Sequence, residues 1–258
     1  MGLYDPRRTT YTNDNFDYIV SEDIKEYDIK SAGLNMLIAA NVIDSKTVKY
    51  LKSLPKKQRT IVEGKMQKKN KQLTKVINDG LIKYRSLFLK SNNIDDKNII
   101  SVKKDAFILV NASIKHNTFD NVVFRKKSRY SSYYRISKLE FYYSKRYDIL
   151  DVKGINTETA EFKKHNKYMI KFLKSVFALN EVSHKQACIE LKKFAYEYIN
   201  LKLPKGYYRE FNSDSLYRLN LEGIANSDLA ADNVDSKEIL NIIYNYNTII
   251  LPLIKLIF

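Results

Sequence analysis

The order of hydrophobic patterns along this chain constrains its fold more than any other feature. A short apolar strand precedes amphipathic helices, a strand hairpin, further strands and a helical C-terminal part. Because strands joined by short turns pair in antiparallel while long helices collect elsewhere, this order predicts an α+β fold with a segregated helical region. The 258 residues fit one large domain, or a core domain with an appendage.

Apolar residues recur at threes and fours in the helical stretches. They predict helices over Ser31–Val42, Ser45–Leu54, Arg59–Ser91, Lys163–Leu179 and His184–Leu201. Gly80 could break the third of these, and Pro204–Gly206 is a linker. The apolar segment Ile239–Phe258 is interrupted by asparagines, Pro252 and Lys255, which favours a buried helix over a membrane span.

Residues rich in β-branched and aromatic side chains predict the strands. They cover Glu26–Ile29, Ile99–Val102, Ala106–Val110, Asn121–Phe124, Tyr133–Tyr143 and Asp148–Val152. The turn between the second and third strands is Lys103–Asp105, and residues 1–20 read as an irregular arm.

Positive charge is concentrated in two blocks. The chain has 45 Lys and Arg against 29 Asp and Glu, a formal net charge of +16. Residues 46–104 hold 17 basic and 4 acidic residues, and residues 115–174 hold 15 and 6. Charge at this density is self-repulsive, so an anionic partner is the economical explanation, although a lysine-rich chain that merely solvates its helices is the alternative.

Nucleic acid suits this composition best, because aromatic rings between basic residues can stack on bases while the cations contact phosphates. The tyrosines concerned are Tyr130, Tyr133, Tyr134, Tyr142, Tyr143 and Tyr147. Packing between strands would explain the same tyrosines. The single cysteine, Cys188, excludes an internal disulfide, argues against a zinc site and indicates a reducing compartment. With no signal-peptide pattern at the N-terminus, we expect a cytoplasmic protein without a membrane partner, in the host cytoplasm if the chain is viral.

Two aspartates stand at predicted strand ends in this otherwise basic chain. Asp28 ends a strand that leads into a helix, and Asp105 lies at the tip of the hairpin. Two-metal phosphoryl transfer needs such a pair of acids, which hold divalent ions ~4 Å apart to stabilise the attacking and leaving oxygens. Magnesium suits carboxylates combined with substrate phosphates. A helix cap and a turn residue are the alternative roles.

The segments around these aspartates resemble two motifs of family B DNA polymerases. Glu26–Ala32 looks like motif A, in which a strand delivers an Asp into a helix. Ile99–Ile108 looks like motif C, a hairpin whose second Asp corresponds to Asp105. Downstream, Lys145–Tyr147 and Asp151–Ile155 are similar to the lysine–tyrosine strand and Lys-Gly turn with which that family contacts primer–template.

The resemblance spans residues 26–155 and implies a polymerase-like palm in which Asp28 and Asp105 are catalytic and bind Mg²⁺ or Mn²⁺. It implies a palm-like domain at 1–158, with a helical fingers insertion at about 45–93, and a thumb-like helical region at 159–258. The implied nucleotide contacts are Ser31, Gly33, Lys71 and Lys75. The implied nucleic-acid contacts are Lys104, Lys145, Arg146, Tyr147 and Lys153.

We therefore expect a nucleotidyltransferase that acts on nucleic acid and nucleoside triphosphates, alone or with other replication or transcription proteins. Two alternatives stay open. Lys103 takes the place of the first Asp of motif C, and Lys104 could mimic a cation beside Asp105, which would suit a non-catalytic nucleic-acid-binding subunit. A metal-dependent nuclease would use the same two acids.

The resemblance also bears on the choice of sugar. In motif A of the family, a Tyr five residues after the Asp packs against the sugar and excludes a 2′-hydroxyl. Gly33 stands five residues after Asp28 and has no side chain to do so. The resemblance therefore implies poor discrimination against ribonucleotides, and Asn35 could add a hydrogen bond to the hydroxyl.

Overall fold

The structure, a computed structural model, describes residues 4–155, 167–208 and 236–258. It divides the chain into two compact units, each of which combines an antiparallel sheet with helices. The first unit comprises Met1–Asn15 and Asp23–Arg129, and the second comprises Phe16–Glu22 and Tyr130–Phe258. The predicted α+β class is confirmed. The boundary predicted near residue 158 lies outside the described residues.

The strands belong to two sheets. They are β1 (Thr10–Thr12), β2 (Tyr18–Ile19), β3 (Ile24–Ile29), β4 (Ile99–Lys103), β5 (Ala106–Val110), β6 (Thr118–Phe119), β7 (Val122–Tyr130), β8 (Ser132–Ile136), β9 (Leu139–Ser144) and β10 (Ile149–Lys153). One sheet has the order β1-β4-β5-β3-β7-β6, and the other has the order β10-β9-β8-β2. Short strands β1 and β2 thus lie in the segment predicted to be irregular. The single strand predicted at residues 133–143 is a hairpin, because Ser137 adopts a left-handed φ of 56° and reverses the chain.

The helices flank these strands in sequence. They are α1 (Ala32–Ala39), α2 (Ser45–Ser53), α3 (Lys56–Lys69), α4 (Lys71–Ser91), α5 (Met169–Asn180), α6 (His184–Ile199), α7 (Ser236–Asn245) and α8 (Leu251–Ile257). A π-helical turn, Tyr246–Ile250, joins the last two, so the predicted C-terminal helix has three segments. The predicted linker at Pro204–Gly206 leads into a 3₁₀ turn, Lys205–Tyr208.

The long basic helix breaks at Asn70 and not at Gly80. Asn70 has an extended backbone, and its side chain accepts a hydrogen bond from the Gln72 amide at 3.0 Å, which starts α4 afresh. Gly80 lies inside α4, where a Cβ would come within 2.7 Å of Met36 Sδ. The glycine is therefore explained by close packing of α1 on α4.

The core of the first unit lies between its sheet and α4. The buried residues of α4 follow the helical period: Leu73, Ile77, Leu81, Tyr84 and Phe88. The ring of Phe88 stacks on Phe124 at 4.2 Å and on Phe107 at 5.5 Å between centroids. Every residue of β5 is buried.

The core of the second unit is built from its tyrosine-rich hairpin and the helices. Tyr133, Tyr134 and Tyr142 are fully buried, and the ring of Tyr134 stacks on Phe177 of α5 at 3.8 Å. These tyrosines pack inside the fold and present no surface on which bases could stack. Among the described residues, no helix is both long and apolar enough to cross a membrane.

Candidate active site in the first unit

Strand pairing in the first unit brings the two predicted acids together. In the antiparallel pair β3–β5, Asp28 lies opposite Ala106, the residue that follows Asp105. The amide of Ile29 donates to the carbonyl oxygen of Asp105 at 3.0 Å. The end of β3 and the tip of the β4–β5 hairpin therefore meet at one edge of the sheet, as the strand-end prediction required.

Both aspartates line a cavity of ≈ 430 Å³ at this edge. Its wall combines the β3–α1 connection with one face of α3 and with residues of β7 and the hairpin tip. The lining residues are Asp28, Ile29, Lys30, Ser31, Ala32, Gly33, Lys56, Arg59, Thr60, Glu63, Asp105 and Arg125. Four of these side chains are basic and three are acidic, so the cavity offers cations and carboxylates together.

A bidentate ion pair holds Asp28. Arg125 on β7 donates from Nε to Asp28 Oδ1 at 2.7 Å and from Nη2 to Oδ2 at 3.1 Å. The Asp28 side chain is 15 % exposed and that of Arg125 is 53 % exposed, so the guanidinium covers the carboxylate from the solvent side. The carboxylate also raises the pKa of Arg125. Arg125 therefore occupies both carboxylate oxygens of Asp28 with a charge-assisted, bidentate pair of hydrogen bonds.

Burial opposes the ionisation of two carboxyls of the cavity, Asp105 and Glu63, strongly enough to raise their pKa values. Burial raises the pKa of Asp105, and the nearby charge of Asp28 adds to this effect, while Lys127 and Lys56 oppose it. Burial likewise raises the pKa of Glu63, against the attraction of Arg59. Carboxyls with raised pKa values in one cavity are a recognised sign of a functional site.

Unusual backbone conformations flank both aspartates. Lys104, immediately before Asp105, has φ 52°, and Ser31, three residues after Asp28, has φ 48° and ψ 53°. Such left-handed conformations cost a side-chain-bearing residue about 1 kcal/mol or more and cluster at functional sites. Ser31 stands at the N-cap of α1 without a side-chain capping bond.

A buried arginine supports the hairpin tip from behind. Arg85 of α4 is 1 % exposed, and its Nη1 donates to the carbonyl of Arg8 at 2.8 Å and to that of Lys104 at 3.4 Å. The amide of Lys104 donates to the carbonyl of Thr9 at 2.7 Å. These bonds hold the turn that carries Asp105 in place.

The predicted nucleotide contacts divide into two groups. Ser31 and Gly33 line the cavity beside Asp28. Lys71 and Lys75 lie on α4 and are not among the cavity's lining residues, where α3 supplies Lys56, Arg59 and Thr60 in their place. The break at Asn70 causes this difference, because it makes the basic segment two helices with separate faces.

The predicted nucleic-acid contacts lie mostly in the second unit. Lys104 is exposed at the hairpin tip of the first unit. Lys145, Arg146 and Tyr147 occupy the exposed turn between β9 and β10, not a strand, because Ser144 pairs with Ile149 and leaves four residues for the turn. The guanidinium of Arg146 lies 5.4 Å from the ring centroid of Tyr147. Lys153 on β10 forms an ion pair with Asp151 at 2.8 Å.

Sequence reasoning missed the basic side chains that surround the two acids. Lys56, Arg59, Thr60 and Glu63 follow Pro55 at helical spacing, so their common face is visible once a helix start is placed there. Arg125 begins a basic run of β7 in which Arg125, Lys127 and Arg129 lie two residues apart, with Lys126 between the first two. This run forms ion pairs with Glu26 of β3 and with Asp23, which immediately precedes β3, through Lys127–Glu26 and Arg129–Asp23, each at 2.8 Å. The two-residue period was the available signal.

Hard oxygen ligands of the kind magnesium takes are present at this site. Asp28 and Asp105 supply two carboxylates, and Mg²⁺ in phosphoryl-transfer sites is bound by one or two carboxylates together with substrate phosphates and water. Within the described residues, no group of three or more His, Cys, Asp or Glu side chains is placed to hold a metal ion.

The fold and the cavity define an α+β protein with two strand-end carboxylates in a cation-rich pocket. Residues 1–258 match the family model described as Bacteriophage PBS1 gene 130 protein, and the chain belongs to that family. This membership supports a phage origin. Comparison with curated proteins gives no match.

Proposed function

We propose that this protein is a nucleotidyltransferase that extends nucleic acid from nucleoside triphosphates at the Asp28–Asp105 cavity. The observation that carries the proposal is the β3–β5 register, which places both acids in one cavity with basic side chains. The strand order β4-β5-β3 supports a polymerase-like palm, since it sets the hairpin beside the strand that resembles motif A. Paired acids at rigid strand ends are what phosphoryl transfer requires.

Asp28 and Asp105 would hold Mg²⁺ or Mn²⁺ in this cavity. Bound there, the metal would supply charge that stabilises the attacking and leaving oxygens of the transfer. Asp28 would exchange its contact with Arg125 for the metal. Asp105 must be ionised to act as a ligand, and its burial, which raises its pKa, opposes that ionisation.

Basic side chains of the cavity would bind the triphosphate. Lys56 and Arg59 project from adjacent turns of α3, and Arg125 reaches in from β7. Phosphates attract such cations strongly, and a guanidinium can bind two phosphate oxygens at once. Arg125 therefore has two roles in this proposal, because it holds Asp28 in the free protein and is available to a phosphate once a metal occupies Asp28.

The nucleic-acid backbone would be bound by exposed basic residues. Lys145 and Arg146 lie in the β9–β10 turn beside Tyr147, which is 58 % exposed and could stack on a base. Lys104 borders Asp105 at the hairpin tip. A net charge of +16 supports a polyanionic partner, whether the protein acts alone or with other replication or transcription proteins.

A second candidate function is nucleic-acid binding without catalysis. The bidentate Arg125–Asp28 pair favours it, because an acid that is already neutralised needs no metal. Lys103 in place of the first acid of motif C points the same way. This protein would then use the cavity to bind an anionic end or nucleotide without turnover.

One assay separates these functions and a nuclease. The purified protein is incubated with a labelled primer–template, Mg²⁺ or Mn²⁺, and nucleoside triphosphates. Primer extension that is absent in Asp28→Asn and Asp105→Asn supports the proposal, and shortening of the primer indicates a nuclease. A gel shift without any change in primer length supports the binding function and contradicts the proposal.

A further inference from the structure

Glu63 forms the wall of the cavity opposite Gly33. A Cβ added to Gly33 would come within 2.7 Å of Glu63 Oε2, so the missing side chain at residue 33 creates the space that this carboxylate occupies. The side chain of Glu63 is 13 % exposed and lines the same cavity as Asp28 and Asp105. The room at Gly33 that the sequence indicates is therefore not empty, because a hydrogen-bond acceptor fills part of it.

The ion pair of Glu63 with Arg59 leaves the carboxylate oxygens of Glu63 available to accept hydrogen bonds from a ligand. Arg59 Nε lies 3.7 Å from Glu63 Oε1, which is an ion pair but longer than a hydrogen bond. Burial opposes ionisation of this carboxyl, so a donor group in the cavity would relieve an unfavourable state. A phosphate would be repelled by a carboxylate, whereas an uncharged hydroxyl donor would be attracted.

We propose that Glu63 accepts hydrogen bonds from the sugar hydroxyls of the nucleotide and makes the cavity selective for ribonucleotides. This inference rests on the proposed function, because it assumes that the basic residues of the cavity bind the phosphates. With the phosphates on those cations, the sugar next to them carries uncharged hydroxyl donors that can face a carboxylate. A carboxylate is a known partner of ribose hydroxyls, and the 2′-hydroxyl is what distinguishes the two sugars.

The selectivity arises from an unsatisfied acceptor. A deoxynucleotide lacks the 2′-hydroxyl and would leave a largely buried carboxylate oxygen without its donor. Sites built to bond a hydroxyl reject the analogue that lacks it much more strongly than sites that merely leave room for it. The space at Gly33 alone would only tolerate a 2′-hydroxyl. A hydrogen bond to Glu63 would make the cavity prefer the ribonucleotide that carries it.

Isothermal titration calorimetry with ATP and 2′-deoxy-ATP, each with Mg²⁺ and without nucleic acid, tests the inference. The wild-type protein should bind ATP about ten- to a hundredfold more tightly, as expected for a hydrogen bond to a charged group. Glu63→Ala should abolish the preference, because it weakens ATP binding and removes the unpaired carboxylate that disfavours 2′-deoxy-ATP, so that 2′-deoxy-ATP binds as tightly as ATP or somewhat more tightly than to the wild type. Glu63→Gln should keep part of the preference, because its amide oxygen still accepts a hydrogen bond.

Two further variants separate recognition from a general effect on the helix. Gly33→Ala does not remove Glu63, but the added Cβ displaces the flexible end of the Glu63 side chain. This variant should therefore reduce the preference while the protein stays folded. Gln67→Ala, one turn further along α3, should keep the full preference. Equal binding of both nucleotides by the wild type, or a preference that survives in Glu63→Ala, overturns the inference and leaves the proposed function standing. If neither nucleotide binds, the inference and the proposed function fail together.

Discussion

The two units of this protein differ in what their buried polar groups contact. In the second unit, buried groups bind each other: Asn180 donates to Tyr134 Oη at 3.1 Å, and Tyr142 Oη donates to Glu140 at 3.0 Å. Burial raises the pKa of Tyr134 well above its ordinary value, so this hydroxyl stays protonated. Polar groups that are satisfied inside the fold stabilise it and offer little to a ligand.

The first unit instead directs its partly buried polar groups into a cavity. Asp105 and Glu63 both line the space beside Asp28, and burial raises the pKa of each. Carboxyls whose ionisation is opposed by burial lower the stability of the fold. Proteins keep such groups at functional sites, where replacing them improves stability at the expense of activity. Under the proposed function, the chemistry therefore belongs to the first unit, and the second unit holds structural tyrosine pairs.

Removing the acids should give the largest effect. We expect Asp28→Asn and Asp105→Asn each to lower nucleotidyl transfer about a thousandfold or more, because several kcal/mol of transition-state stabilisation are lost with the metal. The matched control is Asp151→Asn in the second unit, where Tyr130 Oη donates to Asp151 at 2.8 Å. Single-turnover primer extension measures all three. Full activity in either cavity variant would end the assignment of chemistry to the first unit.

Tyr134→Phe should affect stability and leave activity unchanged. It removes the hydroxyl to which Asn180 donates in a buried site, and we expect a loss of about 1–2 kcal/mol in the free energy of unfolding. Tyr147→Phe, at an exposed turn, should change it by less than about 0.5 kcal/mol. Urea denaturation gives both values. A fall in transfer activity of the folded Tyr134→Phe protein would break the comparison between the units.

Acid should weaken activity at a higher pH than an ordinary aspartate would cause. The pKa of Asp105 is raised above its ordinary value of 3.8, and only the ionised form binds a metal. Below the raised pKa, activity at limiting Mg²⁺ should fall about tenfold per pH unit. The rate of transfer at limiting Mg²⁺, measured as a function of pH, checks this prediction. An acid limb that is unchanged by Lys56→Ala, which removes a cation that lowers this pKa, would argue against Asp105 as the titrating group.

Asp105→Asn should also be slightly more stable than the wild type near neutral pH. The raised pKa of Asp105 means that folding favours its protonated form. The contribution of this carboxyl to the free energy of unfolding is therefore fully present below its ordinary pKa and is lost as pH rises through the raised value. The amide removes this cost, and we expect a gain of less than about 1 kcal/mol that disappears at acidic pH. Thermal denaturation at two pH values measures it. A loss of stability at neutral pH would mean that Asp105 is a structural turn residue.

The central part of the site could be predicted because it depends on strand ends. Asp28 and Asp105 each follow apolar strand residues, and the antiparallel pairing of those strands brings their ends together. Ser31 and Gly33 were implied by the resemblance of this segment to motif A, and both line the cavity beside Asp28. Local patterns were sufficient here, because the cavity edge is built from residues close in sequence to each strand end.

The rest depends on packing that periodicity does not reveal. Basic residues continue across Asn70, so the break that separates Lys56 from Lys71 has no apolar signature. The predicted strand at 121–124 stops before Arg125, because the rest of β7 has a polar, exposed face. Glu63 faces Gly33 only through the packing of α3 against the start of α1, a long-range contact that no local pattern encodes.

The smallest expected effects concern the nucleic-acid backbone and show whether the second unit has a part in function. If Lys145 and Arg146 each neutralise one phosphate, alanine at either position should weaken binding to all sequences alike. Each substitution should also make the slope of log affinity against log salt shallower by about 0.7 to 0.9. Lys185→Ala, an exposed lysine of α6, is the matched control and should leave the slope unchanged. Fluorescence anisotropy with a labelled primer–template over a salt series measures these slopes.

Lys56→Ala should lower triphosphate affinity without changing the slope, because its contact belongs to the cavity. If the slopes of the Lys145 and Arg146 variants equal that of the wild type, the β9–β10 turn is a solvated surface and the backbone contacts belong to the first unit.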